Sequence, residues 1–148
     1  MTHIRTATLN DISAITQIWD ECKLTRPWNN PSDDMKNALT TPTSTILLLC
    51  NNAQIIGSVM LGYDGHRGWI YYLALKTEYQ KQGYGKKLVE EAENWLKVRN
   101  VPKVNLMIRN TNKAVKKFYE SIGYKDDEVI TMAKWLSTKY LIPSPILR

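Results

Sequence analysis

The segment Gln80-Lys81-Gln82-Gly83-Tyr84-Gly85 constrains this chain more than any other, because it sits between a run that reads as a strand and one that reads as a helix. Upstream, Trp69 to Leu75 is dense in aromatic and aliphatic residues and fits a central strand. Downstream, Leu88, Val89, Ala92, Trp95 and Leu96 recur on one helical face. Glycines at such a junction let the backbone approach an anion closely, and successive amides at a helix N-terminus supply the partial positive charge that binds a phosphate. Lys81, Lys86 and Lys87 flank the loop. The spacing matches neither G-x-x-x-x-G-K-[ST] nor the three-glycine dinucleotide fingerprint, which disfavours a nucleotide triphosphatase and a Rossmann dehydrogenase. Taken alone, the loop is also compatible with a turn that merely starts a helix.

Around this junction the pattern predicts a mixed α/β domain. Ile4 to Thr8 reads as a first strand, and Asn10-Asp11 caps a helix carrying Ile12, Ile15, Ile18, Trp19 and Cys22 as far as about Lys23. Pro27 and Pro31 interrupt it, and a short second helix begins near Ser32. Ile46 to Cys50 and Gln54 to Leu61 are joined by Asn51-Asn52-Ala53 and predict an antiparallel hairpin. After the third helix, Val104, Leu106 and Ile108 mark a strand, Asn110 or Thr111 caps a fourth helix ended by Gly123, and a last strand is expected over roughly Val129 to Leu136. One domain over residues 1–137 and a proline-bearing tail over 138–148 are expected.

Several function classes drop out on composition. The densest apolar run, Ile46 to Cys50, is far shorter than the roughly 18 residues of a membrane span, so no membrane association is expected. The N-terminus lacks the layout of a secretory signal and the two cysteines, Cys22 and Cys50, suit a reducing compartment, so a cytoplasmic location is expected. Neither cysteine has a histidine near it in sequence, and His3 and His66 form no metal-ligand pattern, so no metal is expected. The net charge is +6, and between Asn94 and Tyr119 there are seven basic residues and no acidic one. Nucleic acid, a phosphate-rich cofactor and a solvated face all fit that charge.

A second cluster, Asn112-x-x-Val115-x-x-Phe118-Tyr119-Glu120-Ser121-Ile122-Gly123-Tyr124, narrows the choice. Together the two sites resemble the GNAT superfamily, the acetyl-CoA-dependent N-acetyltransferases, in its small, single-domain, bacterial form. The glycine loop is similar to that family's R/Q-x-x-G-x-G/A signature, and the second stretch to its N-x-x-[AV]-x-x-[FL]-Y-x-x-x-G-[FY] segment. The likeness is most specific over residues 69–124 and extends over residues 3–136. It implies a central, mostly antiparallel twisted sheet of about six to seven strands flanked by about four helices, an α/β (α+β) fold.

The resemblance also implies roles, position by position. Leu73, Ala74 and Leu75 would meet the pantetheine arm through backbone groups and polarise the thioester carbonyl. Gln80, Lys81, Gln82, Gly83, Tyr84, Gly85 and Lys86 would hold the pyrophosphate of acetyl-CoA, and Asn112 would contact the cofactor near its pantetheine. Tyr119 would protonate the departing thiolate. The chemistry needs such groups in any case: negative charge builds on the carbonyl oxygen, where a fixed amide stabilises it, and the leaving thiolate gains from a weak acid. The charge excess is then accounted for by the phosphates of the cofactor, and no nucleic-acid partner is expected.

In the ribosomal-protein branch of the family a glutamate five residues before the motif asparagine is the general base; here Met107 stands there. Asp64, His66, Tyr72 and Glu78 are candidate replacements, with a water relay ranked ahead of them. On the acceptor side, Arg26, Trp28, Asp64, His66 and Arg67 stand out as loop residues of functional type. Arg26 and Arg67 would hold a carboxylate or phosphate of a small-molecule or peptide amine while Asp64 attracts the amine. Direct transfer in a ternary complex, with a possible homodimer, is the expected activity. A non-catalytic acyl-CoA-binding module and, more remotely, a basic nucleic-acid-binding domain are the alternatives.

Overall fold

The computed structural model describes residues 1–137. Strands β1 (Thr2–Thr6), β2 (Ser44–Asn51), β3 (Gln54–Tyr63), β4 (Gly68–Leu75) and β5 (Val104–Leu106) form one sheet in that order. The first four pair antiparallel, while β5 joins β4 in parallel after the crossover through the third helix. The helices are α1 (Ile12–Glu21), α2 (Pro31–Thr40), α3 (Tyr84–Val98) and α4 (Lys113–Ser121). No helix of the described residues is long and apolar enough to cross a membrane.

Local chemistry explains these elements. The β2–β3 hairpin turns at Asn52, whose φ of 55° is left-handed and suits asparagine. Asn30 caps α2 by accepting a hydrogen bond from the Asp33 amide, and Pro31 takes the first helical position, where no amide is needed. Every residue from Thr45 to Cys50 is buried, because helices cover both faces of the sheet. Ile46, Leu48 and Cys50 pack toward Ile15, Ile18, Trp19 and Met35 of α1 and α2, while Leu47 and Leu49 join Leu88, Val89, Ala92 and Leu96 of α3.

The expected last strand does not form. Residues 129–137 form no strand of the sheet among the described residues, and Val129, Ile130 and Met132 are 73%, 85% and 86% exposed. A strand exists through hydrogen bonds to a neighbour, and a run of apolar residues does not supply that neighbour. The sheet among the described residues therefore has five strands rather than about six to seven. The expected tail over residues 138–148 lies outside the described residues.

One ion pair ties β1 to the start of α1. Arg5 donates from both terminal nitrogens to the two carboxylate oxygens of Asp11, each at 2.9 Å, and Asp11 also accepts from the Thr8 amide at 2.8 Å. The Arg5 hydrogen bond holds the Asp11 carboxyl down at about 2, against an ordinary 3.8. A depressed carboxylate stabilises the fold above its unfolded pKa and loses that contribution as pH falls through the folded value. Asp11→Asn is therefore expected to cost about 1 kcal/mol at neutral pH, after allowance for solvent screening. The difference from wild type should shrink between about pH 4 and pH 2 in urea unfolding followed by circular dichroism.

Candidate functional site

The site begins where two parallel strands part. β5 pairs only with Gly68, Trp69 and Ile70, so from Tyr71 to Leu75 the β5-side edge of β4 faces open space. Within that stretch the β3–β4 register shifts between Ser58 and Met60, so that Tyr72 and Leu73 both stand opposite Val59. Tyr72 takes the extra turn with φ of 52°, a β-bulge that breaks the ladder and re-aims the neighbouring groups. A cleft of about 1390 Å³ opens here and follows β4 from Trp69 to Leu75 and on to Gly83.

One end of the cleft is built from the glycine loop. Gly83 precedes α3 with φ of 87°, and no side chain caps the helix, so the amides of Tyr84, Gly85 and Lys86 are left to an outside acceptor. Gly85 serves close packing instead: a Cβ there would lie 3.2 Å from Phe118 Cζ. Gln80 donates to the Leu75 carbonyl at 3.0 Å and Gln82 to the Glu78 carbonyl at 2.9 Å, fastening the loop to the strand end. Gln80, Lys81, Gly83, Gly85 and Lys86 line the cleft; Gln82 and Tyr84 do not, Tyr84 packing instead against the Tyr79 ring.

Helix α4 forms a second wall. Asn112 lines the cleft and caps α4, its side-chain oxygen accepting from the Val115 amide, which leaves its NH₂ group to donate elsewhere. Tyr119 is 5% exposed, its ring against Phe118 and Tyr124. Its hydroxyl has no hydrogen bond among the described residues, yet no buried side-chain oxygen lacks a partner, so that hydroxyl opens to the cleft. Burial pushes its phenol well above the ordinary value, so it stays protonated.

On the opposite side the structure assembles a group that sequence reading did not. The Tyr72 ring stacks on Trp19 with centroids 3.9 Å apart, and its hydroxyl donates to Asp34 at 2.9 Å while accepting from Asn29 at 3.2 Å. Burial raises the Asp34 carboxyl, and the Tyr72 hydroxyl partly offsets the rise. Asn29, Asp34 and Arg109 all line the cleft. In sequence Asp34 is one of two acids in the first turn of α2, indistinguishable from the charges that ordinarily favour a helix start.

The loop residues separate. Arg26 and Asp64 line the cleft; Trp28, His66 and Arg67 do not. Asp64 is committed to its own turn, accepting from the amides of His66 and Arg67 at 2.9 and 2.8 Å and from the Trp69 indole at 3.3 Å, which lowers its pKa, the Arg67 amide most. Arg67 turns back on the His66 carbonyl at 3.0 Å. The second arginine of the cleft is Arg109, whose guanidinium carbon lies 5.5 Å from the Trp28 ring centre. Among the candidate bases, Tyr72 lines the cleft and Glu78 does not; Met107, which offers no basic atom, lies on the wall.

In this mixed sheet the parting strands frame a cleft with an uncapped helix start on one side and a protonated tyrosine on the other. The family model for the acetyltransferase (GNAT) family matches residues 12–124, and the chain belongs to that family. It is 38% identical over 133 residues to the acetyltransferase ECA0875 of Pectobacterium atrosepticum, covering 90% of this chain and 94% of that one. Among solved structures, an aminoglycoside acetyltransferase from an uncultured soil metagenomic sample, in complex with trehalose, superposes with a TM-score of 0.75 at 18% identity, covering 92% of this chain and 97% of that one. A predicted acetyltransferase from Clostridium acetobutylicum, crystallised with acetyl-CoA, gives 0.73 at 20% identity, over 90% of this chain and 96% of that one. Acetyl transfer is therefore the chemistry of the family to which the cleft belongs.

Proposed function

We propose that this protein is an N-acetyltransferase that moves the acetyl group of acetyl-CoA directly to a primary amine while both are bound. The observation that carries the reading is the meeting, in one cleft, of uncapped helix amides, an interrupted β4 edge and a protonated Tyr119 hydroxyl. Bound acetyl-CoA would supply an acetyl thioester whose acyl carbon exchanges its bond to sulfur for one to the acceptor nitrogen. The amides of Gly85 and Lys86, with the Lys81 and Lys86 side chains, bind the pyrophosphate. The exposed edge of β4 at Leu73 to Leu75 pairs with the pantetheine arm, and an amide at the bulge stabilises charge on the carbonyl oxygen. Asn112 donates to the same arm from its free NH₂ group. Tyr119 gives a proton to the departing sulfur. The nitrogen's proton leaves through water, since Asp64 is held acidic by its own turn and Met107 offers no lone pair of use.

Calorimetric titration of acetyl-CoA tests the reading. Saturable binding is expected in the wild type. In Gly83→Val a branched side chain must enter a left-handed conformation that costs it about 1–2 kcal/mol, which displaces the amides, and the Kd should rise about tenfold or more. Gly65→Val is the control: that φ is 89° with similar free space around it, but Gly65 does not line the cleft, so stability should fall with Kd unmoved. Equal effects of the two substitutions on Kd would remove the cradle.

A further inference from the structure

Inside the cleft the charges of the protein are not matched by the protein. Arg26 and Arg109 have no carboxylate within ion-pair distance among the described residues. Arg26 spends one terminal nitrogen on the carbonyls of Lys23 and Thr25, at 2.7 and 3.0 Å, which fixes the guanidinium and leaves its other donors free. The Arg109 side chain makes no hydrogen bond to the described residues and its guanidinium lies over the Trp28 ring. Asp34 has the converse arrangement: half-buried, it accepts from the Tyr72 hydroxyl and has no cation within ion-pair distance among the described residues. Arg26 shares its loop with Asn29, which donates to the Tyr72 hydroxyl that in turn donates to Asp34, and all four residues line one cleft. Lys81 and Lys86 stand on the glycine-loop wall and serve the cofactor phosphates there, so the two arginines are not needed for that purpose.

A bound molecule that satisfies this wall must bring a cation to Asp34 and an anion to the arginines. We propose, building on the acetyl-transfer reading above, that the acceptor is a small primary amine that carries its own carboxylate or phosphate group. Arg26 and Arg109 take the anionic group with their planar forks. Asp34, held in place by Tyr72 and through it by Asn29, takes the ammonium until it deprotonates for attack. Polycationic amines are disfavoured, because a second ammonium would be pressed against two arginines that have no counter-charge of their own.

The test uses matched probes on the full chain, titrated calorimetrically with and without coenzyme A: L-phenylalanine against L-phenylalaninol, O-phosphoethanolamine against ethanolamine, and spermidine. The anionic member of at least one pair should bind about tenfold or more tighter than its neutral partner and tighter than spermidine. The pair that responds separates carboxylate from phosphate. Arg26→Gln and Arg109→Gln should each erase most of that preference while leaving the acetyl-CoA Kd unchanged, and Arg26→Lys should restore only part of it. The Arg109 side chain makes no ion pair or hydrogen bond with the described residues, so its substitution reads the site more than stability. Asp34→Asn should weaken the anionic amine and its neutral partner alike. Spermidine binding best, neither anionic amine binding, or a preference that survives both arginine substitutions would each overturn the proposal. Failure to bind acetyl-CoA would instead refute the acetyl-transfer reading and leave the amine titrations interpretable.

Discussion

Tyr119→Phe is expected to lower kcat by about 100-fold, the lower end of what a positioned proton donor contributes, while the Kd for acetyl-CoA stays within about twofold of wild type. Two features make the experiment clean. The hydroxyl is unpaired among the described residues, so its removal leaves no orphaned partner, and the ring contacts with Phe118 and Tyr124 persist in phenylalanine. Thermal stability should therefore hold or rise slightly. Burial keeps the phenol protonated far above neutrality, so the wild-type rate should show no falling limb from this group below about pH 10, and the variant should keep the pH profile of the wild type at a lower level. Steady-state thiol release with a competent amine measures all of this. A kcat unchanged in Tyr119→Phe would move the proton donor elsewhere, and the absence of turnover with any amine, despite tight acetyl-CoA binding, would favour a binding module.

Trp19 carries the largest expected effect on stability, because it joins the core to the site. It is fully buried, donates from its indole nitrogen to the equally buried Ser58 hydroxyl at 3.0 Å, and stacks on Tyr72. Trp19→Ala should cost about 3–5 kcal/mol in urea unfolding, from lost burial and the cavity left behind. Trp19→Phe refills much of the volume but leaves Ser58 without its donor, at about 1–3 kcal/mol. Adding Ser58→Ala to Trp19→Phe should recover part of that loss, because an unpaired buried hydroxyl is the costly element. Since Tyr72 rests on the indole and holds Asp34, Trp19→Phe should also raise the acceptor KM more than the KM for acetyl-CoA. If both KM values rise together, the indole supports the cleft as a whole rather than this wall.

How far the sequence could be read depends on where the information for each feature resides. The glycine loop was legible as a helix start because Gly83 turns the backbone immediately before α3, and the α4 segment was legible as a helix because Asn112 caps it and Tyr119 lies within its few turns. The hairpin and helix starts were equally local, set by Asn52, Asn30 and Pro31. The last strand was misread for the opposite reason: an apolar-rich run from Val129 onward suits a strand, while a ladder requires a neighbour that those residues cannot specify. On the acceptor side, Arg67 looked like Arg26 in sequence, yet a tight turn around Asp64 directs it to its own loop, and Arg109, from beyond β5, comes to the cleft instead.

What the sequence determined by itself was thus the order of elements from β1 to α4, the two apolar faces of the sheet and the glycine-led start of α3, all governed by spacing within a few residues. Tertiary structure alone decided which charges share the cleft. Asp34, Tyr72 and Asn29 come from α2, β4 and the loop between α1 and α2, and they meet only because the β4 bulge turns Tyr72 onto Trp19 beneath that loop. No local pattern encodes the meeting, since hydrogen bonds between side chains some 40 residues apart, such as Tyr72 to Asp34, depend on packing that the whole sheet must first establish.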